Sequence, residues 1–132
     1  MLHNTTISMR RHLKALLFVA AIALGACDNS RYVDLMRVTS DTEVVIHKWT
    51  ETYEGSGPLH QRTSARERIV RLREKQVVLA ERIDPETIPE YQNKTITLEQ
   101  SRAKKDSIVA AAVQRYNDAV ALPYPTESDR KK

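Results

Sequence analysis

The stretch that decides the fold is SARERIVRLREKQVVLAERI, which occupies residues 64–83. Along it, apolar residues and one glutamine recur at alternating spacings of four and three, the period of a helix with one buried face. The members of this face are Ala65, Ile69, Leu72, Gln76, Leu79 and Ile83. No proline or glycine interrupts the stretch, and Asp84-Pro85 ends it. We therefore expect a helix over residues 64–83 that packs this face along another helix.

The partner of this face is open at the level of sequence. Fewer than three heptads are present, which is too few to predict a coiled coil. The face packs on a helix of the same chain, on a helix of another protein, or on a second copy of itself. The residues of this candidate partner-helix face are Ile69, Leu72, Gln76, Leu79 and Ile83.

Basic residues flank the face on both edges. They are Arg66 and Arg73 along one edge and Arg68, Lys75 and Arg82 along the other. Such edges fit an acidic partner helix or a phosphate surface, or they are solvated side chains whose stems shield the face. We prefer the solvated interpretation and expect no nucleic-acid binding, because the basic residues form no dense cluster and no aromatic residues are interleaved with them.

Three capping-box motifs predict where helices begin. In each, a hydroxyl residue can accept from a backbone amide three residues later, and a Glu or Gln at that later position can reach back. The motifs are Ser40-Asp41-Thr42-Glu43, Ser64-Ala65-Arg66-Glu67 and Thr97-Leu98-Glu99-Gln100.

Two further helices follow from the same kind of pattern. Residues 44–53 are rich in strand-favouring types, so a strand is an alternative there, but Val44-Val45-Ile46 breaks an alternating period and we prefer a helix. Its apolar face consists of Thr42, Val45, Ile46, Trp49 and Tyr53. The face of the last helix, which runs through Leu122, consists of Ile108, Ala112, Tyr116 and Val120.

Glycine and proline divide the chain at three places. Gly55, Gly57 and Pro58 form one break, Pro85 and Pro89 a second, and Pro123 and Pro125 a third. The expected fold is all-α, a small antiparallel helical hairpin or three-helix arrangement. We assign residues 27–39 to a tether that turns helical near residues 32–36, residues 40–122 to the helical domain and residues 123–132 to a disordered tail.

The first 26 residues have the organisation of an export signal. A basic start with Arg10, Arg11 and Lys14 precedes twelve mostly apolar residues, 15–26. Twelve residues rise only about 18 Å as a helix, too short for a bilayer core of about 30 Å. The segment also holds three of the 21 basic residues and none of the 17 acidic ones, so the remainder carries 18 bases against 17 acids. The basic excess therefore belongs mostly to a segment that we expect to be removed.

The end of this segment, Leu24-Gly25-Ala26-Cys27, resembles the lipobox of bacterial lipoproteins. The resemblance implies that Leu24, Gly25 and Ala26 are recognised by the signal peptidase. It also implies that the Cys27 thiol receives diacylglycerol and becomes the mature N-terminus, with an N-acyl chain. Gly25 is an allowed rather than a favoured residue at its position. A free cysteine that closes an ordinary signal peptide or an uncleaved anchor is the alternative, but a lone thiol in an exported protein has no internal partner.

Asp28, directly after this cysteine, is similar to the inner-membrane retention signal of enteric lipoproteins. It is equally consistent with a solvated residue in a tether. The resemblance implies a lipid-anchored protein facing the periplasm, with the inner membrane slightly favoured.

No residue constellation predicts catalysis or a metal site. His47 and His60 are thirteen residues apart with no cysteine near them, and no phosphate loop, HExxH or GxSxG motif occurs. Apart from the lipid on Cys27, we expect no cofactor.

A second resemblance concerns Arg115-Tyr116-Asn117-Asp118-Ala119-Val120, which is followed closely by prolines. It is similar to the helix end of LemA-type membrane proteins, which are long antiparallel helical hairpins, and the spacing of Trp49 and Tyr53 is similar in kind. This chain lacks that family's usual length.

The lipobox-like segment and the absence of catalytic motifs together give the functional expectation, a non-enzymatic lipoprotein that binds another envelope component of a secretion, conjugation or assembly machinery. The alternatives are a self-assembling structural lipoprotein and a LemA-like membrane protein.

Overall fold

The computed structural model describes residues 30–129, and no strand occurs within that range. Three long helices dominate it: α1 (Tyr32–Glu54), α2 (Leu59–Arg82) and α4 (Leu98–Val120). The connection from α2 to α4 contains a 3₁₀ turn, Pro85–Thr87, and the four-residue helix α3, Pro89–Gln92. A second 3₁₀ turn, Glu127–Asp129, follows α4. The all-α prediction is confirmed.

The helix α2 lies between α1 and α4 and packs antiparallel to both. In its first half, Ile69 contacts Ile46 of α1 and Ala119 of α4, and Arg62 donates a hydrogen bond to Tyr53 O at the end of α1. Near its end, Leu79 contacts Leu35, close to the beginning of α1. The ends of α1 and α4 therefore lie beside the beginning of α2.

The core is aliphatic and is built in three clusters along α2. One cluster joins α2 to α4 alone, through Val77, Ala80 and Ala112. The other two join all three long helices, one around Ile46, Ile69 and Ala119 and one around Leu35, Leu79, Ile83 and Ile88. The central helix is consequently buried on two flanks rather than on the single stripe that its sequence period indicates.

Two of the three predicted helix starts are wrong. The helix α2 begins at Leu59, directly after Pro58, so Ser64 lies inside it. Pro58 has a φ of −57°, which is compatible with a helix start, and residues 59–63 contain no glycine or proline. Nothing in the backbone therefore prevents the helix from beginning before Ser64.

The helix α1 likewise begins eight residues before the predicted cap at Ser40. Its first amide, Tyr32 N–H, donates to Thr87 Oγ1 at 2.9 Å, and Leu35 is buried in the core. Residues 32–39 therefore belong to the folded body and not to a tether, and the predicted helical turn near residues 32–36 is the first part of α1.

The third capping box is confirmed. Thr97 Oγ1 accepts from Gln100 N–H at 3.1 Å, and Gln100 Oε1 accepts from Thr97 N–H at 2.9 Å. Both bonds join residues three apart in sequence, so they need no contribution from the rest of the fold.

The assignment of residues 123–132 to a disordered tail is wrong for its described part, residues 123–129. Tyr53 Oη donates to Pro123 O at 2.5 Å, Pro125 is buried, and the Tyr124 ring lies against Arg66. The predicted apolar faces also fail at two positions, since Val45 and Val120 are exposed and Ala119 takes the buried place at the end of α4.

Candidate functional site

The lipobox-like residues Leu24 to Cys27 and the adjacent Asp28 lie outside the described residues. The nearest described position is Ser30, and its carbonyl oxygen accepts from Asp84 N–H at 2.8 Å. Cys27 is thus three residues in sequence from a backbone position that is hydrogen-bonded to the segment directly after α2.

The candidate partner-helix face is used inside the chain. Ile69, Gln76, Leu79 and Ile83 are each exposed by 3% or less, and Leu72 is half-buried. The prediction that this face packs along a helix is confirmed, and the helices belong to the same chain. Four of its five side chains are enclosed by the protein's own helices, so in this fold they are not exposed to a separate partner or a second copy.

Two arginines of α2 bind the carboxyl ends of the neighbouring helices. Neither α1 nor α4 has a basic residue in its last turn, where the helix dipole is negative. Arg62 Nε donates to Tyr53 O at 3.1 Å, and Arg66 donates through Nε and Nη2 to Leu122 O and Val120 O, both at 2.8 Å. Arg62 and Arg66 are 6% and 7% exposed.

These contacts correct the sequence interpretation of the basic edges. The sequence pattern predicts a solvated edge position for Arg66, yet this residue is buried, and the pattern does not single out Arg62. Two parallel helices that end beside the same α2 turn place several carbonyl oxygens together, and a guanidinium can donate to more than one of them. The sequence signal that could have suggested this is the absence of basic residues and of a glycine at the end of α4.

A polar network fills the middle of the α1–α2 contact. Gln76 donates through Nε2 to Thr39 O at 3.2 Å and to Glu43 Oε1 at 3.0 Å. Arg73 Nη1 donates to Glu43 Oε1 at 2.6 Å and to Gln76 Oε1 at 2.9 Å. Gln76 therefore satisfies its amide although only 1% of the residue is exposed.

The pKa of Glu43 is shifted by this network. Partial burial raises the pKa, but the hydrogen bonds from Gln76 and Arg73, together with the positive charges of Arg73 and Arg115, outweigh it. The net result is a pKa below the ordinary value of 4.5. The carboxylate is the form that the fold stabilises.

An open groove lies between α1 and the first turns of α2. Its volume is about 370 Å³, and its walls are formed by Trp49, Thr52, His60, Gln61, Ser64 and Arg68. The guanidinium of Arg68 lies 4.4 Å from the centroid of the Trp49 ring. Because the lining includes a cation, an indole and several hydrogen-bonding groups but no carboxylate, it suits a chain segment that carries acidic side chains.

Neither a family model, nor a curated protein sequence, nor a solved structure matches this chain.

The remaining residues singled out by sequence do not form a common site. His47 faces Glu51 at 3.4 Å on the exposed side of α1, while His60 lines the groove. Residues 115–120 form the last turns of α4, with Tyr116 packed against the core and Ala119 buried within it. Within residues 30–129 no group of three or more His, Cys, Asp or Glu side chains could hold a metal ion.

In the part of the chain that the structure describes, no helix has both the length and the apolar character needed to cross a bilayer.

Proposed function

We propose that this protein is a small lipoprotein of the bacterial envelope, anchored through Cys27, that works by binding another envelope component. The observation that carries the anchor is Leu24-Gly25-Ala26-Cys27 at the end of a basic and then apolar segment. Two or more acyl chains on one cysteine are enough for stable anchoring, because each buried CH₂ contributes about 0.8 kcal/mol.

The folded body supports this proposal. The three core clusters are built from residue 32 onward. Cleavage before Cys27 would therefore leave every described core residue in place.

The anchor is tested by metabolic labelling with a radioactive fatty acid, followed by purification of the native protein and of Cys27→Ser. We expect label on the native protein and none on the variant. A matched control is Ser40→Ala, an exposed substitution in α1 that leaves Cys27 intact and should retain full label. Equal label on native protein and Cys27→Ser would contradict the anchor.

The groove between α1 and α2 supports the binding role. It is open, it is lined by Trp49 and Arg68, and it lies apart from the enclosed face of α2. Tryptophan, tyrosine and arginine are the residue types that contribute most to the binding energy of protein interfaces. We assign the partner contact to this groove and the partner to a protein of a secretion, conjugation or assembly machinery.

The binding role is tested by photocrosslinking in intact membranes. A photoreactive residue at Gln61, in the groove, is compared with one at Gln114, an exposed glutamine of α4. We expect a discrete crosslinked product from position 61 that is lost with Arg68→Glu and absent from position 114. Equal products from both positions would contradict the assignment.

The protein's own helices cover the face of residues 69–83, which argues against self-assembly through it.

A further inference from the structure

The first described residues are tied by hydrogen bonds to the far end of α2. Ser30 O accepts from Asp84 N–H at 2.8 Å and from Thr87 Oγ1 at 3.4 Å. In return, Tyr32 N–H donates to Thr87 Oγ1 at 2.9 Å. The beginning of α1 thus has a defined position in the body.

The segment that holds it is itself well anchored. The Asp84 side chain accepts from Glu86 N–H at 2.9 Å and caps the 3₁₀ turn. Ser101 Oγ, which is fully buried, donates to Pro85 O at 2.6 Å, and Ile88 is enclosed in the core. Ser30 is therefore connected to the end of α2 and, through this turn, to α4.

Chain length limits how far this end of the body can be from Cys27. Three residue steps separate Cys27 from Ser30, and an extended chain spans at most about 3.6 Å per residue, or about 11 Å in total. Along α1, by contrast, Tyr32 and Glu54 are separated by 22 residue steps, which is about 33 Å. The connection from Cys27 to Ser30 therefore spans at most about a third of the length of α1.

From this geometry we propose that the protein stands on the membrane in one orientation. The end formed by Ser30, Pro85–Thr87 and the beginning of α1, here called the anchored end, faces the phospholipid headgroups. This inference rests on the proposed lipid anchor at Cys27. The opposite end, at Glu54, points away from the bilayer.

The side of α1 offers little reason for the body to lie flat instead. Its exposed large apolar residues are Val33, Val44 and Val45. They are interrupted by exposed charged residues such as Arg37 and Lys48, so they form no continuous stripe that could enter the interface.

Charge does not set the orientation either. The anchored end carries both positively and negatively charged side chains, and Glu90 and Lys104 form an ion pair there. We therefore expect the orientation to be independent of anionic lipid and of salt. Trp49 lies 17 residues along α1 from Tyr32, which is about 25 Å of helix. In the proposed orientation the groove is therefore held about 25 Å from the anchored end and faces the periplasm.

The test compares Glu86→Cys with Glu54→Cys in the full-length lipidated protein. Both glutamates are exposed, and they lie at opposite ends of the body. Each variant is labelled with a thiol-reactive fluorophore, which cannot react at an acylated Cys27. The proteins are then reconstituted into phosphatidylcholine vesicles that contain a lipid with a nitroxide on its headgroup.

We expect the nitroxide to quench most of the fluorescence at position 86 and almost none of it at position 54. High salt should change neither value. Insertion of a long Gly-Ser linker after Asn29 should abolish the difference. Equal quenching at both positions, or stronger quenching at position 54, would overturn the orientation while leaving the anchor intact. Absence of fatty acid on Cys27, measured on the same samples, would overturn both proposals.

Discussion

The guanidinium of Arg66 lies 3.9 Å from the centroid of the Tyr124 ring, although 58 residues separate them in sequence. The same guanidinium donates to Val120 O and Leu122 O. One side chain of the central helix therefore holds both the end of α4 and the segment that follows it.

Arg66→Ala should lower the free energy of unfolding by about 3 kcal/mol, because two charge-assisted hydrogen bonds are lost and carbonyl oxygens near the core lose their donors. Arg66→Lys should lower the free energy of unfolding by about 1–2 kcal/mol, because an ammonium group cannot reproduce the planar arrangement of guanidinium donors. Urea denaturation of the protein from residue 28 onward measures both values.

The matched control is Arg68→Ala, half a turn further along the same helix. Arg68 stacks on Trp49 at an exposed site, so its removal should cost only about 0.5–1 kcal/mol. Equal losses for Arg66→Ala and Arg68→Ala would show that the contacts at the end of α4 contribute nothing specific.

The segment after α4 should resist proteolysis. Tyr53→Phe removes the hydrogen bond to Pro123 O and should lower the free energy of unfolding by about 1 kcal/mol. Tyr124→Ala, which removes the ring below Arg66, should increase the rate of cleavage between residues 121 and 126 in limited proteolysis. Unchanged cleavage in both variants would mean that this segment is not held against the body in solution.

The cap at Thr97 should contribute measurably to α4. Thr97→Ala should lose about 1 kcal/mol of stability, whereas Thr97→Ser, which keeps the accepting oxygen, should lose much less. Ser107→Ala, an exposed substitution inside the same helix, should be neutral or slightly stabilising because alanine favours helix. Thermal unfolding of the three variants distinguishes a cap from a general effect on the helix.

Acid should weaken the fold partly through Glu43. Its pKa in the folded protein is below its ordinary value, so its contribution is complete above pH 4.5 and is lost as the pH falls through the folded value. Glu43→Gln should lower stability at neutral pH by at most about 1 kcal/mol, because half of the side chain is exposed, and should flatten the acid dependence. Glu54→Gln is the control, and an identical pH profile for both variants would contradict this role.

The protein from residue 28 onward should sediment as a monomer at high micromolar concentration. The apolar face of residues 69–83 is enclosed by α1, α4 and the connecting turn, so little of it remains to pair copies. A stable dimer that dissociates with Leu79→Ala would instead indicate that copies exchange this face.

The sequence alone was enough to predict the all-α class, the breaks near Gly55, Pro85 and Pro123, and the start of α4 at Thr97. These features depend on interactions within a few residues: a proline without an amide hydrogen, a period of apolar residues, and a hydroxyl three residues before a glutamine. The lipid anchor at Cys27 stays a prediction of the same local kind.

Only the tertiary structure decided which helices cover α2, where α1 and α2 begin, and what the buried arginines bind. The first amide of α1 finds its acceptor 55 residues away at Thr87, and Arg66 finds its acceptors 54 and 56 residues away at Val120 and Leu122. Such partners exist only after the chain has folded back on itself. The local motifs at Ser40 and Ser64 were overridden because the earlier helix starts satisfied the same backbone groups and allowed Leu35 and Arg62 to be buried.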